Sequence, residues 1–524
     1  MFFLLFAPCV ALAQPVNTEL STTVLHSGEP FLAVNPANPE NLVVAWMSLR
    51  VSGLSLTVTI STRASFDGGA QWEPAVDLPH NGSKWQSADV SMAWATDGTL
   101  YLDYIDYLDS SNSQGGVFVV HSTDGGRSFS EPVKAIDAAE DTDVSLDRPW
   151  LAVDNSGTAT QGNLYLPTKP APWNPVPNHS YFTRSTDGGA TWQHETVLDS
   201  TPFSASLIQQ PMGSPAVGAN GTLYIAYPCA DSKAGYALAT STDGGASFTR
   251  SFILQPGVDL REKDSIKGAF QLVADPKNAD HLVFFWPDAR LGDLDIFASA
   301  SFDRGQTWSS PVRVNDDPAG NGVVQDMLWP TFGASGKLAV VWRDRRNGGS
   351  GGDASATDSY FATSTDGGLT WSRNVRVTNA SAPFNKILVN PGNDFQSAAI
   401  ASDTLYMTWA DMRTDSLRIY FAKAPLAAPS DVSITTIDRE PAMTVVPNPG
   451  AQFAELHFVV SSSGEARVAW YDARGALVRA PWEVEVTPGM NSFPISLADL
   501  AEGSYTIVVR TSEATTQANL VVRR

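Results

Sequence analysis

Apolar residues fall in short runs along the chain, and two of these runs recur as a pair. Phe31-Leu-Ala-Val34 is followed by Leu42-Val-Val-Ala-Trp46, Val90-Ser-Met-Ala-Trp94 by Leu100-Tyr-Leu-Asp103, and Trp150-Leu-Ala-Val153 by Leu164-Tyr-Leu166. Further units begin near Ser214, Phe270 and Trp329. A seventh pair, Gln396-Ser-Ala-Ala-Ile400 and Leu405-Tyr-Met-Thr-Trp409, leads to Arg418-Ile-Tyr-Phe-Ala422. Alternating runs such as Val117-Phe-Val-Val120 and Tyr360-Phe-Ala-Thr363 follow these pairs, so each unit predicts at least three strands.

An octet closes six of the units. It reads Ser65-Phe-Asp67-Gly-Gly-Ala-Gln-Trp72, Ser122-Thr-Asp124-Gly-Gly-Arg-Ser-Phe129 and Ser185-Thr-Asp187-Gly-Gly-Ala-Thr-Trp192. It returns as Ser241-Thr-Asp243-Gly-Gly-Ala-Ser-Phe248, Ser301-Phe-Asp303-Arg-Gly-Gln-Thr-Trp308 and Ser364-Thr-Asp366-Gly-Gly-Leu-Thr-Trp371. Asp-Gly-Gly between two β runs is a hairpin signal, because glycine reaches positive φ without a Cβ clash. The carboxylate can accept amides of its own turn, and the closing aromatic can pack beneath it. Six dispersed aspartates suit a structural repeat better than one convergent chemical site.

The octets resemble the Asp-boxes, or BNR repeats, of sialidase-type β-propellers. The resemblance covers residues 18–424 and implies an all-β fold of four-stranded blades around a channel. It puts each box on the hairpin between third and fourth strands, away from the binding face. Seven inner pairs against six boxes favour seven blades, with six as the alternative. The next box would fall near Ala424-Pro-Leu-Ala-Ala-Pro429, so the seventh unit lacks its outer strand. The lone β run Thr18-Glu-Leu-Ser-Thr-Thr-Val-Leu25 can supply that strand and close the ring, removing two exposed sheet edges.

Composition fits this reading. Only 17% of the 524 residues are charged, while Gly (40), Pro (34) and Trp (15) are abundant, as in a loop-rich β protein. A net charge of −21 repels phosphate backbones and excludes nucleic acid as a partner. Phe2-Phe-Leu-Leu-Phe6 followed by Ala11-Leu12-Ala13 reads as a signal peptide over residues 1–13, although no Lys or Arg precedes it. Its removal leaves Cys229 as the single cysteine, so no intrachain disulfide is expected. No other run is long enough to be a transmembrane span. A monomer is expected.

Residues 425–440 read as a linker, and residues 441–524 as a small C-terminal β-sandwich. Its Val445-Val-Pro-Asn-Pro449 start, Tyr471-Asp-Ala-Arg-Gly475 turn, Gly503-Ser-Tyr505 and basic tail resemble the type A sorting domain of type IX secretion cargo. That resemblance implies export machinery as a partner and a secreted or outer-membrane surface location on a Gram-negative cell. A generic spacer or carbohydrate-binding sandwich is the plainer alternative.

Candidate chemistry lies where second strands end and first strands begin. A triplet recurs as Trp286-Pro-Asp288-Ala-Arg290, Trp342-Arg-Asp344-Arg-Arg346 and Trp409-Ala-Asp411-Met-Arg413. In extended chain its Trp, Asp and Arg share one side, as a strand-end ion pair or as a ligand-binding array. Loops entering first strands add Glu29, Asp147-Arg148-Pro149-Trp150, Lys267, Gln325-Asp326 and Asn393-Asp394. Tyr104, Asp106, Asp264 and Trp329 are weaker candidates. Asp147 and Asp288 are the expected acid and base. Arg148, Trp150, Arg290, Arg345, Arg413 and Trp329 are the expected substrate contacts.

The sialidase resemblance implies three carboxylate-binding arginines, an acid/base Asp and a Tyr–Glu pair. Where the first arginine should stand, this chain reads Gly28-Glu29-Pro30-Phe31, and no Tyr–Glu pair is identifiable. The seven histidines (26, 80, 121, 179, 194, 281, 457) have no zinc-ligand spacing. No cofactor is expected, with a divalent cation such as calcium left open. The leading function is a glycoside hydrolase acting on an extracellular glycan. A non-catalytic glycan- or protein-binding propeller and a polysaccharide lyase are the alternatives.

Overall fold

One pairing recurs in six blades of the computed structural model. The box serine faces the first leucine of the second strand as Leu42↔Ser65, Leu100↔Ser122, Leu164↔Ser185, Leu223↔Ser241, Leu282↔Ser301 and Leu338↔Ser364. The seventh unit keeps this register with Leu405↔Ala424, so alanine stands where a box would begin. The structure describes residues 15–21, 25–52, 55–82, 84–108, 114–138, 145–171, 179–194, 196–198, 213–229, 235–254, 269–349, 355–384, 393–426, 443–446, 450–460, 463–472, 476–487, 489–511 and 515–523. The signal-peptide segment 1–13, linker residues 427–440, Asp264, Lys267 and Pro447–Pro449 lie outside them.

The chain divides into two compact units, Met1–Ala427 and Ala428–Arg524. In the first, blade 1 runs outward as His26–Val34, Leu42–Ser52, Ser55–Ser65 and Val76–Asp77. Blades 2, 4, 5 and 6 repeat this order from first strands Trp85–Trp94, Ser214–Val217, Gln271–Ala274 and Gln325–Phe332. Blade 3 has a divided first strand, because Leu146–Asp147 and Ala152–Val153 both pair with Leu164–Pro170. Blade 7 comprises Ser397–Ala401, Thr404–Asp411 and Arg418–Pro425, with Thr18–Glu19 outermost. Neighbouring first strands touch in sequence round the whole circle, closing seven blades into a ring.

The closing strand is short but well tied. Thr18 and Glu19 pair with Phe421 and Tyr420, and Leu20 donates its amide to Ile419. Asn17 spans blades 6 and 7: its amide donates to the Val377 carbonyl, and its Oδ1 accepts from the Asn379 amide and the Arg413 guanidinium.

Second strands are covered on both faces by adjacent blades, which explains their continuous apolar runs. Leu42, Val43, Val44 and Ala45 are all fully buried. The boxes complete this packing. Ser185 donates its hydroxyl to Asp187 and accepts the Gly189 amide, while Asp187 takes the amide and hydroxyl of Thr191. Gly126 has φ +90°, and a Cβ there would lie 2.5 Å from Val43 of the preceding blade. Each box thus needs glycine both to turn and to dock.

The second unit contains two sheets. Met443–Val446, Phe453–Val460 and Gly489–Ser496 form one. Leu477–Val486, Gly464–Asp472, Gly503–Arg510 and Thr515–Val522 form the other, in that spatial order. Leu456, Phe458, Val468, Trp470, Ile507 and Leu520 build a single core from both sheets, as in a sandwich. Among the described residues, no helix is long and apolar enough to cross a membrane.

Candidate functional site

First strands run from the loop face of the propeller toward the box face, and four of them change conformation near the loop-face end. Glu29, Asp89, Arg148 and Met327 adopt φ of 52°, 52°, 47° and 53°. Bulges displace the register around Glu29, Asp89 and Met327, and Arg148 sits in the break of blade 3. A non-glycine residue in this region is strained and persists only where its surroundings fix it. A bulge also re-aims side chains at a sheet's rim.

Two residues further along, the chain supplies an aromatic plug. Phe31, Trp150 and Trp329 have ring centroids 5.1–5.9 Å apart, and Phe395 lies 5.1 Å from Trp150. Phe31 and Trp329 also line a cavity of about 450 Å³ that reaches toward the box face past Asn155, Ser156 and Pro276. Trp150 is 6% exposed, so it serves the plug and offers no open face to a sugar. Trp329 belongs to the same plug.

On the loop side of the plug, blades 1, 2, 3 and 7 bring charged groups together. Asp89 hydrogen-bonds both Glu29 and Asp147, and its carboxylate accepts the Arg148 amide at 3.0 Å. Lys169, buried in blade 3, is ion-paired with Asp147, and Arg148 with Asp394. Glu29 is 3% exposed and its Oε2 has no hydrogen-bond partner. The side chains of Asp147, Arg148 and Asp394 keep 16–18% exposure and form the cluster's contact with solvent.

These carboxyls are driven in opposite directions. Burial, then the charge of Asp394, pushes Glu29 up to about 7 against the pull of Arg148. Burial and the neighbouring Asp147 hold Asp89 well above the usual carboxylate range. Burial alone would raise Asp147 too, but Lys169, Asp89 and Arg148 outweigh it and keep Asp147 ionised. Asp147 is thus held toward its ionised form, while Asp89 and Glu29 are the carboxyls pushed toward the protonated one. Sequence reasoning named Glu29 and Asp394 but missed Asp89 and Lys169. Asp89 stands two residues before Ser91 as Glu29 stands two before Phe31, a correspondence hidden by their different flanks.

The other expected residues lie in separate blades. Asp288 is fully buried and accepts the Trp286 indole N–H at 3.0 Å, the Arg290 amide at 2.9 Å and its guanidinium at 2.5 Å. Asp344 is held likewise by Trp342 and Arg346, and Asp411 by Trp409 and Arg413. The triplet is a strand-end lock, so Asp288 is not placed to act as base and Arg290 and Arg413 are engaged by their own aspartates. Arg345 points the other way. It is 2% exposed and bonds Asp326, which Arg343 also grips, because alternate residues of a strand face opposite sides. Arg290, Arg345 and Arg413 thus each bond an aspartate of their own blade. No three His, Cys, Asp or Glu form a metal-holding group among the described residues.

Residues 137–328 match the BNR repeat-like domain family. No curated protein sequence matches the chain. In fold it is similar to the Hadza microbial sialidase Hz136, at 15% identity and TM-score 0.41, over 77% of this chain and 66% of that one. It is also similar to the GH93 α-L-arabinofuranosidase of Fusarium graminearum, at 13% identity and TM-score 0.43, over 79% and 98% of the two chains. A third similar structure is the PL25 ulvan lyase, at 10% identity and TM-score 0.45, over 77% and 94%. This chain therefore spans just under two thirds of the sialidase's length.

Proposed function

We propose that the propeller cleaves glycosidic bonds at the axial carboxylate cluster, with Glu29 as the proton donor. One arrangement carries this reading: Glu29 is buried with an unpartnered Oε2 and is pushed up to about 7 by burial and Asp394, while Asp147, in the same cluster, is ion-paired with Lys169. A carboxyl that keeps its proton near neutral pH beside one that does not is the division of labour glycoside cleavage requires. Glu29 delivers its proton to the leaving oxygen as the C–O bond breaks. Asp147 stays negative and stabilises the positive charge that grows on the sugar ring.

The electrostatics select the substrate class. With Glu29 and Asp89 pushed toward their protonated forms, Asp147 and Asp394 are ion-paired with Lys169 and Arg148, so both cations are already engaged, and the chain as a whole carries −21. This favours a neutral glycan over a sialic acid or uronate. Turnover of neutral aryl glycosides that Glu29→Gln abolishes, with sialosides and uronides untouched, is the expected result. Failure of every glycoside, with retained glycan binding, would overturn catalysis and leave a binding propeller. The cluster's existing ion pairs favour that second reading.

The C-terminal unit is proposed to be the sorting domain of a type IX export route, which would place the propeller outside the cell. Its separate core supports this, because a removable address has to fold by itself. Deleting residues 428–524 is expected to retain a folded propeller inside the cell. Normal export of the shortened chain would overturn the assignment.

A further inference from the structure

Blade 2 departs from the strand-end lock. Counted from the registered leucine, Asp106 occupies the position of Asp288, Asp344 and Asp411, and Tyr104 that of their tryptophans. Two residues on, where the other three blades carry arginine, blade 2 has Leu108. Asp106 instead holds the loop arriving from blade 1. It is fully buried and accepts from the Asn81 amide at 2.8 Å, Asn81 Nδ2 at 2.9 Å, Ser87 Oγ at 3.0 Å and His80 Nδ1 at 3.1 Å. Ser87 Oγ also lies 2.9 Å from His80 Nδ1.

This arrangement selects one tautomer. A ring nitrogen facing a buried carboxylate must carry the proton, so Nδ1–H donates to Asp106 and the Ser87 oxygen. In the neutral ring the other nitrogen, Nε2, then carries the lone pair. The His80 side chain is 21% exposed, whereas Asp106 is shut away at 0%. A permanently charged arginine in three blades is thus exchanged for a solvent-reaching imidazole backed by a carboxylate. Because Ser87 and Asp106 meet the same nitrogen, the group is not a serine nucleophile relay.

The dyad also lies beside the axial cluster. Ser87, which holds His80, and Asp89, which belongs to the cluster, are two residues apart on one first strand. Asp89 in turn bonds Glu29, so the imidazole and the proton donor are linked through one strand.

We propose that His80, oriented by Asp106, is the general base that activates the attacking water, an inference that rests on the glycosidase reading above. Water's oxygen bonds to the anomeric carbon while its proton passes to His80 Nε2. The C–O bond to the leaving group breaks, and that oxygen takes the proton of Glu29. His80 then releases a proton to solvent and Glu29 regains one, so one water is consumed per bond.

The test compares wild type, Glu29→Gln, His80→Ala and His80→Gln on the neutral aryl glycoside that wild type turns over, with melting followed in parallel. His80→Ala should lower kcat by at least about 100-fold with little change in KM. Added imidazole should restore part of that loss, and His80→Gln, which can still bond Asp106, should stay inactive while melting like wild type. Loss in His80→Ala that imidazole does not rescue, accompanied by a lower melting temperature, would make His80 a loop anchor and overturn the proposal. Full turnover in His80→Gln with Glu29→Gln inactive would overturn His80 alone. A wild type that cleaves no glycoside would overturn the glycosidase reading and this inference together.

Discussion

Trp286 donates its indole N–H to Asp288 two residues ahead, at 3.0 Å, and Trp342 to Asp344 and Trp409 to Asp411 do the same at 2.9 and 2.8 Å. Each aspartate is then capped by an arginine lying over an aromatic ring of the third strand: Phe297, Tyr360 or Tyr420. Removing the carboxylate leaves a buried indole N–H and a partly buried guanidinium without their acceptor. Asp288→Ala should therefore cost about 3 kcal/mol of stability. Chemical denaturation measures that loss, and glycoside turnover per folded molecule should be unchanged. A catalytic base would show the reverse: intact melting and lost turnover.

The boxes should be sensitive to acid. Hydrogen bonds from Thr191 and Ser185 pull Asp187 down to about 2. A folded pKa below the unfolded value, about 4, gives stability that is present above pH 4 and lost as pH falls toward 2. The melting temperature of wild type should drop through that window. Asp187→Asn should melt lower than wild type at pH 7 and show a smaller further fall on acidification. An equal fall in both would deny the box carboxylate its role.

How much of this was legible in the chain depended on repetition. Six octets and seven inner pairs displayed the blades, and the register from Leu42↔Ser65 to Leu405↔Ala424 explains why spacing alone revealed them. At the site the same repetition left two readings open. Trp-x-Asp-x-Arg allowed a strand-end ion pair or a ligand-binding array, and each copy closes on itself within five residues. Arg346, and not Arg345, is the arginine in register with the triplet. The axial groups were harder to see, because bulges at Glu29 and Asp89 break the period-two alternation that otherwise tells which side a residue faces. Asp89, Lys169 and His80 belong to no motif. Asp89 and Lys169 join one cluster only because the ring brings blades 2 and 3 together.

Asp103 offers a second pH test, remote in kind from the site. It is fully buried in blade 2, accepts the Ser91 hydroxyl, and has an Oδ2 with no hydrogen-bond partner. Burial holds it well above the usual carboxylate range. A raised folded pKa means the group favours the fold most below its unfolded value and loses that contribution as pH rises. Asp103→Asn keeps an acceptor for Ser91 but cannot ionise. Its melting temperature relative to wild type should rise as pH climbs above about 4, the unfolded value. A constant difference across that range would show that Asp103 does not titrate against the fold.

Glu29 gives the sharpest expectation, since its neighbours act on it with opposite signs. Burial and Asp394 push it up, and Arg148 pulls it down, with the balance at about 7. As a proton donor it works only while protonated, so kcat/KM should fall as pH rises through about 7. Stability has the same sign: a raised carboxyl favours the fold below its unfolded value and loses that contribution as pH climbs through about 7. Replacing Asp394 by Asn removes a negative neighbour and should move the alkaline limb of the activity profile to lower pH. Replacing Arg148 by Met removes a positive one and should move the limb to higher pH. Burial is common to both variants, so the opposed shifts isolate the charges. A limb that stays at the same pH in both variants would mean that another group sets it, and Glu29 would lose its place as the acid.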